Sequence, residues 1–362
     1  MSAGPIMLMA GGTGGHVYPA LAIALSLQEH ARDVVWLGTH RGLEATIVPA
    51  AGIRIEWINV QGLRGKGGLA LVLAPLRLVV AVMQSLAVMR RHRPAAVLGM
   101  GGFVSGPGGV AAWLARRPLI IHEQNAVSGL TNRLLARLAR VVLQAFPGSF
   151  SARANAETVG NPVRREIAQL ADPSIRLAGR SGRLRLLVLG GSQGALSINR
   201  VLPAALARLP QTMRPEVRHQ AGSRTLDVAR EAYASHGLDV ELLPFIADMA
   251  DAYGWADLVV CRAGALTVAE IQAAGLAAIF IPYPAAVDDH QTANAAGLQA
   301  AGAAEIVQET ELSDESLAFM LQSLLSSREE LLSRALKARA MAKPDALERI
   351  TNICLETARV KT

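Results

Sequence analysis

RAGALTVAEIQAAGLAAIFIPYPAAVDDHQTAN, residues 262–294, places a helix between an apolar strand that ends just before it, residues 257–261, and a second at residues 277–281. Continuous apolar strands separated by a helix predict a parallel βαβ unit, because a strand covered by helices on both faces has no alternating polar side. Arg262, Gly264 and Thr267 follow the first strand, and Pro282, Pro284, Asp288, Asp289, His290 and Gln291 follow the second. Both strand ends deliver their polar groups to one edge of the sheet, where open α/β folds bind ligands. Glu270 stands one turn into the intervening helix, and the whole stretch reads as a nucleotide-sugar grip.

The same pattern extends outward over the chain. Residues 6–10 form a short apolar strand that breaks into GGTGGH, residues 11–16, with a helix predicted over residues 19–29. Strand candidates follow at residues 34–38, 54–60, 96–100, 119–122, 141–145 and 157–160. GNPVRREI, residues 160–167, closes this half. A strand at residues 184–189, GGSQGA at 190–195 and a helix at 196–209 then repeat the opening, followed by strands at 217–220, 240–243 and 303–307 and helices at 313–326, 327–342 and 346–358. At 362 residues the chain is too long for one core. Two halves that begin alike predict an α/β protein of two Rossmann-like parallel-sheet domains facing across a cleft, residues 1–163 and 164–344.

Composition narrows the class further. Hydrophobic residues make up 51% but aromatics only 4%, which suits helices layered on parallel sheets better than a β-sandwich. Cys261 and Cys354 fit neither a disulfide framework nor a metal-ligand spacing, so a reducing cytoplasmic setting with no metal is expected. The opening residues lack the basic and apolar regions of a signal peptide. Residues 1–163 carry 15 Lys and Arg against 6 Asp and Glu, whereas residues 164–362 carry 21 against 23. A basic first half favours an anionic surface. With few aromatics and no nucleic-acid motif, lipid headgroups are the expected partner and nucleic acid is not.

Residues 69–93, LALVLAPLRLVVAVMQSLAVMRRHR, approach bilayer-spanning length but are interrupted by Pro75, Arg77, Gln84 and Ser85. A buried packing helix, an interfacial helix near anionic headgroups and a true span all remain open, in descending order. Trp113, Arg116 and Arg117 could extend the same apolar and basic surface.

Strand, glycine turn and helix start together suit an anion or a sugar, since small residues let backbone N–H groups approach a ligand. In GGTGGH a dinucleotide fingerprint would need glycine where Val17 stands, so NAD-type binding is disfavoured. His16 at the end of that turn is the best general-base candidate. GMGGFVSGPGG (99–109) and HEQNAVSG (122–129) are two further loops of this kind. In the second half, Glu270 can accept both ribose hydroxyls, and Ser192 with the backbone around Gly191 and Gly194 can donate to phosphate. Main-chain groups near Phe245 and Ile246 could read a base edge, Gln291 can bond sugar hydroxyls, and Arg164 can meet diphosphate charge. Solvated helix carboxylates and empty strand–helix turns are the competing readings. No cofactor is implied.

GGTGGH, GGFVSGP, HEQN, GNPVR, GGSQGA, RAGALTVAE and DDHQTANA, in this order over nearly the whole chain, resemble the MurG family of bacterial peptidoglycan glycosyltransferases. The resemblance implies a GT-B fold, with the lipid acceptor bound by the N-terminal domain and UDP-N-acetylglucosamine by the C-terminal one. It implies transfer of N-acetylglucosamine to undecaprenyl-diphospho-N-acetylmuramoyl-pentapeptide, lipid I, to form lipid II at the cytoplasmic face of the inner membrane, as a peripheral protein. It leaves room for contacts with other cell-wall synthesis and division proteins. It also implies donor contacts at Thr13, Gly14, Gly15, Asn125, Arg164, Ser192, Ile246, Ala265, Leu266, Thr267, Val268, Ala269, Glu270 and Gln291, and a final helix, about 345–362, that packs back on the first domain. Family members often carry two adjacent glutamines where this chain has His290 and Gln291, which leaves the role of position 290 open. A UDP-N-acetylglucosamine 2-epimerase, a glycolipid glycosyltransferase and a non-catalytic nucleotide-sugar-binding membrane module are the rival readings.

Overall fold

The computed structural model describes residues 4–60, 74–191 and 194–359. The chain forms two compact units, Met1–Val163 with Lys343–Thr362, and Arg164–Ala342. Among the described residues of the first unit, seven strands form one parallel sheet: β1 (Ile6–Met9), β2 (Val34–Gly38), β3 (Arg54–Trp57), β4 (Ala96–Gly99), β5 (Leu119–Glu123), β6 (Val141–Gln144) and β7 (Glu157–Thr158). Their order is β3-β2-β1-β4-β5-β6-β7, so the direction of winding reverses between β1 and β4.

Strand periodicity sorts the core into two layers. Ile6, Leu8, Trp36 and Leu98 face one side, against the helix Gly14–Glu29. Met7, Met9, Val97 and Ile121 face the other, with Val88 and Met89 of the helix Ala74–His92 and Ala111 and Ala112 of the helix Gly102–Leu114. The last helix, Ala346–Arg359, completes the first layer. Leu347, Ile350, Cys354 and Ala358 recur at helical spacing and give it one apolar stripe. Thr351 Oγ1 bonds Ser26 Oγ at 3.1 Å within the same layer.

The second unit repeats the plan with β8 (Arg185–Leu189), β9 (Glu216–Gln220), β10 (Glu241–Leu243), β11 (Leu258–Cys261), β12 (Ala277–Phe280) and β13 (Ala304–Ile306). Among the described residues these six form a parallel sheet in the order β10-β9-β8-β11-β12-β13. Leu186, Val188, Leu258, Val260 and Ile279 build one core layer with Ile198 and Leu202 of the helix Leu196–Arg208, and with Leu317 and Leu321 of the helix Asp314–Leu325.

Boundaries differ from expectation at two glycine-rich segments: residues 102–109 of the expected loop 99–109 belong to the helix Gly102–Leu114, and the first helix starts early. The first helix begins at Gly14 rather than at Pro19, because Thr13 is extended and its carbonyl accepts from the amides of His16 and Val17, both at 3.2 Å. Gly14 and Gly15 thus form the first helical turn. Pro19 lies inside the helix and lacks the N–H that would bond back one turn. The sequence pattern marks Pro as a helix start, but here the glycines before it already satisfy helical geometry.

Gly102 shows how tightly the two glycine loops of this unit meet. Its φ is +77°, and a Cβ there would run into the backbone carbonyl of Gly11. Gly102→Ala is expected to cost roughly 2–4 kcal/mol, from a left-handed conformation and a backbone clash together. The midpoint of thermal unfolding checks this, and an unchanged midpoint would show that the loops can separate freely.

Candidate active site

β1, β4 and β5 are parallel neighbours, so the loops after them gather at one sheet edge. Residues 10–13 leave β1, Met100 to Gly102 leave β4, and Gln124 and Asn125 leave β5. Gly12 N–H donates to Glu44 Oε2 at 2.9 Å, while Thr39 donates to Glu44 Oε1 from both its amide, at 3.0 Å, and its hydroxyl, at 2.8 Å. Glu44 is fully buried and fixes the glycine turn from below. Sequence reasoning missed it, because an acidic residue at the start of the short helix Glu44–Ala50 gives no local sign of a partner 32 residues away. Ser105 Oγ closes the second loop by bonding Gly101 O at 2.7 Å and Met9 O at 3.0 Å.

His16 stands in the first turns of its helix, with Nδ1 2.9 Å from Gln124 Oε1. Gly101, at φ +90°, leaves room for the imidazole, since a Cβ there would lie 2.9 Å from ring atoms of His16. In HEQN the buried Glu123 carboxylate shapes the next loop, accepting from the amides of Asn125 and Gly129 and from the side chains of Asn125 and Asn132. Thr13, Gly14, Gly15, His16 and Asn125 therefore share one edge.

His122, buried beneath that edge, is pushed down to about 4 by desolvation, against the opposing pull of its bond to Gly160 O. The native state thus holds the neutral ring, whereas the unfolded chain takes up a proton below about pH 6.5. The share of stability contributed by His122 should fall with pH through the window from 6.5 down to 4, by roughly 2 kcal/mol between pH 7 and pH 5. Denaturant unfolding at the two pH values, for the parent and for His122→Asn, checks this; the variant should lose less.

In the second unit, Gly191 and Gly194 adopt φ of +74° and +82° in the turn after β8. Ser192, the expected phosphate donor, lies outside the described residues. The turn leads into the helix Leu196–Arg208, whose N-terminus carries the positive end of the helix dipole. The helix Ala265–Ala274 begins likewise after β11, behind an extended Gly264 that gives no side-chain cap. The residues Ala265, Leu266, Thr267, Val268, Ala269 and Glu270 are its first turns. Gln291 Oε1 accepts from Tyr283 N–H at 2.9 Å and folds the loop after β12. Ile246 is buried and Phe245 exposed in the segment after β10. His290 begins the helix His290–Ala300.

Arg164 and Glu270 come together: Arg164 donates to Glu270 Oε1 at 3.0 Å, and Tyr253 OH donates to Oε2 at 3.0 Å. Burial raises the Glu270 carboxyl, and Arg164 and the two hydrogen bonds pull it back. Tyr253, missed by sequence reasoning, sits buried on the helix Met249–Trp255, where nothing local distinguishes it from a core aromatic. Asp248 caps that helix by accepting from Asp251 N–H at 2.9 Å. Arg262, delivered to the sheet edge as expected, is engaged in holding the edge together. It donates to Ile281 O, Pro282 O and Ser197 Oγ, and pairs with Glu309. Among the described residues no three His, Cys, Asp or Glu side chains gather into a metal-binding group.

Two Rossmann-like parallel sheets, each with glycine turns and helix starts at its carboxyl edge, are the architecture that GT-B glycosyltransferases share. Residues 6–144 match the glycosyltransferase family 28 N-terminal domain and residues 185–350 the family 28 C-terminal domain, and the chain belongs to this family. It is 59% identical to the UDP-N-acetylglucosamine--N-acetylmuramyl-(pentapeptide) pyrophosphoryl-undecaprenol N-acetylglucosamine transferase of Alkalilimnicola ehrlichii, covering 98% of this chain and 99% of that one. The transferase of the same name from Marinobacter nauticus is 54% identical, with 97% of each chain covered. The crystal structure of Acinetobacter baumannii MurG superposes with a TM-score of 0.86 at 41% identity, over 98% of this chain and 99% of that one. The calicheamicin glycosyltransferase CalG4, at 17% identity and a TM-score of 0.67 over the full length of both chains, shares the fold.

Proposed function

We propose that this chain transfers N-acetylglucosamine from UDP-N-acetylglucosamine to the muramoyl 4-hydroxyl of lipid I, with inversion, to give β-1,4-linked lipid II. The observation that carries the reading is 59% identity over 98% of the chain to a transferase bearing that activity in its name. Donor binding is assigned to the second unit. Glu270 accepts the ribose hydroxyls, since Arg164 and Tyr253 occupy one position on each carboxylate oxygen and leave lone pairs for a ligand. Backbone N–H groups of the turn after β8, Ser192 and the two helix starts take the diphosphate. The backbone at Ile246 reads the base, and Gln291 bonds the sugar. Acceptor binding is assigned to the first unit, with His16 as the base on the 4-hydroxyl, while Thr13, Gly14, Gly15 and Asn125 beside it keep their assignment as donor contacts. As the hydroxyl oxygen bonds to the anomeric carbon, its proton passes to His16, the bond to the diphosphate breaks, and UDP leaves with that electron pair.

The test is direct: labelled UDP-N-acetylglucosamine and a lipid I analogue should yield a labelled disaccharide lipid. Free N-acetylmannosamine with no disaccharide would favour a 2-epimerase instead.

The acceptor is anchored in lipid, and the first unit offers a surface suited to it. No helix among the described residues is long and apolar enough to cross a membrane, and residues 69–73 of the apolar run lie outside them. On the helix Ala74–His92, Leu76, Leu78, Val79, Val80 and Met83 are exposed, with Arg77 among them. Trp113 and Leu114 of the packed neighbouring helix are exposed too. This supports peripheral binding at the anionic cytoplasmic face of the inner membrane. Replacing Leu76, Val79 and Met83 together by Ser should weaken binding to anionic vesicles roughly tenfold or more. Transfer to a short-chain, water-soluble acceptor should be unchanged. Unaltered vesicle sedimentation would remove this surface from the account.

A further inference from the structure

Beneath His16 runs a chain of hydrogen bonds whose direction is decided at two fixed points. His122 Nε2 lies 2.9 Å from Gly160 O, and Gln124 Nε2 lies 3.3 Å from His122 O. A backbone carbonyl only accepts. His122 Nε2 must therefore carry a proton, and the end of the Gln124 amide next to His122 O must be its NH2. We infer that Gln124 is a positioning residue that holds His16 as the Nδ1–H tautomer and thereby leaves the Nε2 lone pair as the proton acceptor.

The remaining links agree with this direction. Because His122 is neutral, its Nδ1 bears a lone pair, and Gln124 Nε2 lies 3.2 Å from it as a second acceptor. With its NH2 committed to His122, Gln124 can only turn Oε1 toward His16, where it lies 2.9 Å from Nδ1 and accepts. Asn161 Nδ2 donates to the main-chain carbonyl of Gln124 at 3.0 Å and so fixes its backbone, while burial confines its side chain. Asn161 and Gly160 both belong to GNPVR, and His122 and Gln124 to HEQN. Two motifs without an assigned proton-transfer role thus converge on the orientation of the base. A neutral glutamine orients the ring without adding a fixed negative charge, unlike a carboxylate partner.

The inference rests on His16 acting as base in the proposed transfer, but its first test does not. Long-range 1H–15N correlation on histidine-15N-labelled full-length protein near pH 8 should show the His16 proton on Nδ1 and an unprotonated Nε2. A dominant Nε2–H tautomer overturns the inference whatever the role of His16 in turnover. Gln124→Met removes the acceptor at similar size, and kcat should fall roughly tenfold or more with the KM for UDP-N-acetylglucosamine unchanged. Gln124→Glu, which keeps an acceptor toward His16, should retain more of kcat and the Nδ1–H signature. If Gln124→Met instead retains both the signature and kcat, Gln124 does not position the base.

Discussion

His16→Ala is expected to lower kcat by about 10²- to 10⁴-fold, the usual contribution of a positioned general base. UDP affinity should stay close to that of the parent. The reason for the split is the division of labour between the two units. The nucleotide contacts assigned to Glu270, Ile246 and the turn after β8 all lie in Arg164–Ala342, whereas His16 lies in the other unit, after β1. Removing the imidazole thus removes a proton acceptor and none of the assigned nucleotide contacts. Stability should change little, since His16 is only partly buried and its bond to Gln124 is one link of a chain otherwise anchored on backbone. Single-turnover kinetics with saturating acceptor, alongside calorimetric titration of UDP, separate the two quantities. Near-normal turnover would end the assignment of His16 as base.

Glu270→Ala should act on the opposite quantity, weakening UDP by roughly 10- to 150-fold. That is the range for hydrogen bonds made to a charged group. The carboxylate is already oriented, with Arg164 on one oxygen and Tyr253 OH on the other, so its remaining lone pairs are presented without a further ordering cost. Two comparisons isolate the ribose contact from general damage. Tyr253→Phe removes one donor but keeps the carboxylate, and should weaken UDP far less. The parent should bind UDP better than 2′-deoxy-UDP, and Glu270→Ala should lose that preference, as expected when both changes remove the same interaction. If Glu270→Ala binds UDP as the parent does, or still discriminates against the deoxy nucleotide, the ribose assignment is wrong.

What could be read in the sequence follows from how local each signal is. Apolar runs ending in GGTGGH, GGSQGA and RAGALTVAE mark parallel strands and their ligand edge, because strand burial and glycine turns are local requirements. Cys354 and its apolar neighbours at helical spacing mark the last helix as one-sided, but where that stripe goes depends on contacts with Ile23 and Leu27, more than 300 residues earlier. The same distance limit hid Glu44 behind the glycine turn and Tyr253 behind Glu270. Arg262 shows the converse: a cation at a ligand edge reads as a ligand group, yet Ile281 O, Pro282 O and Glu309 already engage it. The start of the first helix went astray for a purely local reason, because Pro19 signals a helix start while Gly14 and Gly15 are already helical.

The central claim is an inverting transfer to the muramoyl 4-hydroxyl, and the product's linkage tests it most directly. Purified protein, UDP-N-acetylglucosamine and a lipid I analogue should give one disaccharide whose NMR spectrum shows a β-configured anomeric proton and a 1→4 linkage, with one UDP released per disaccharide. An α-linked product, attachment at another hydroxyl, or UDP released without any disaccharide would contradict it.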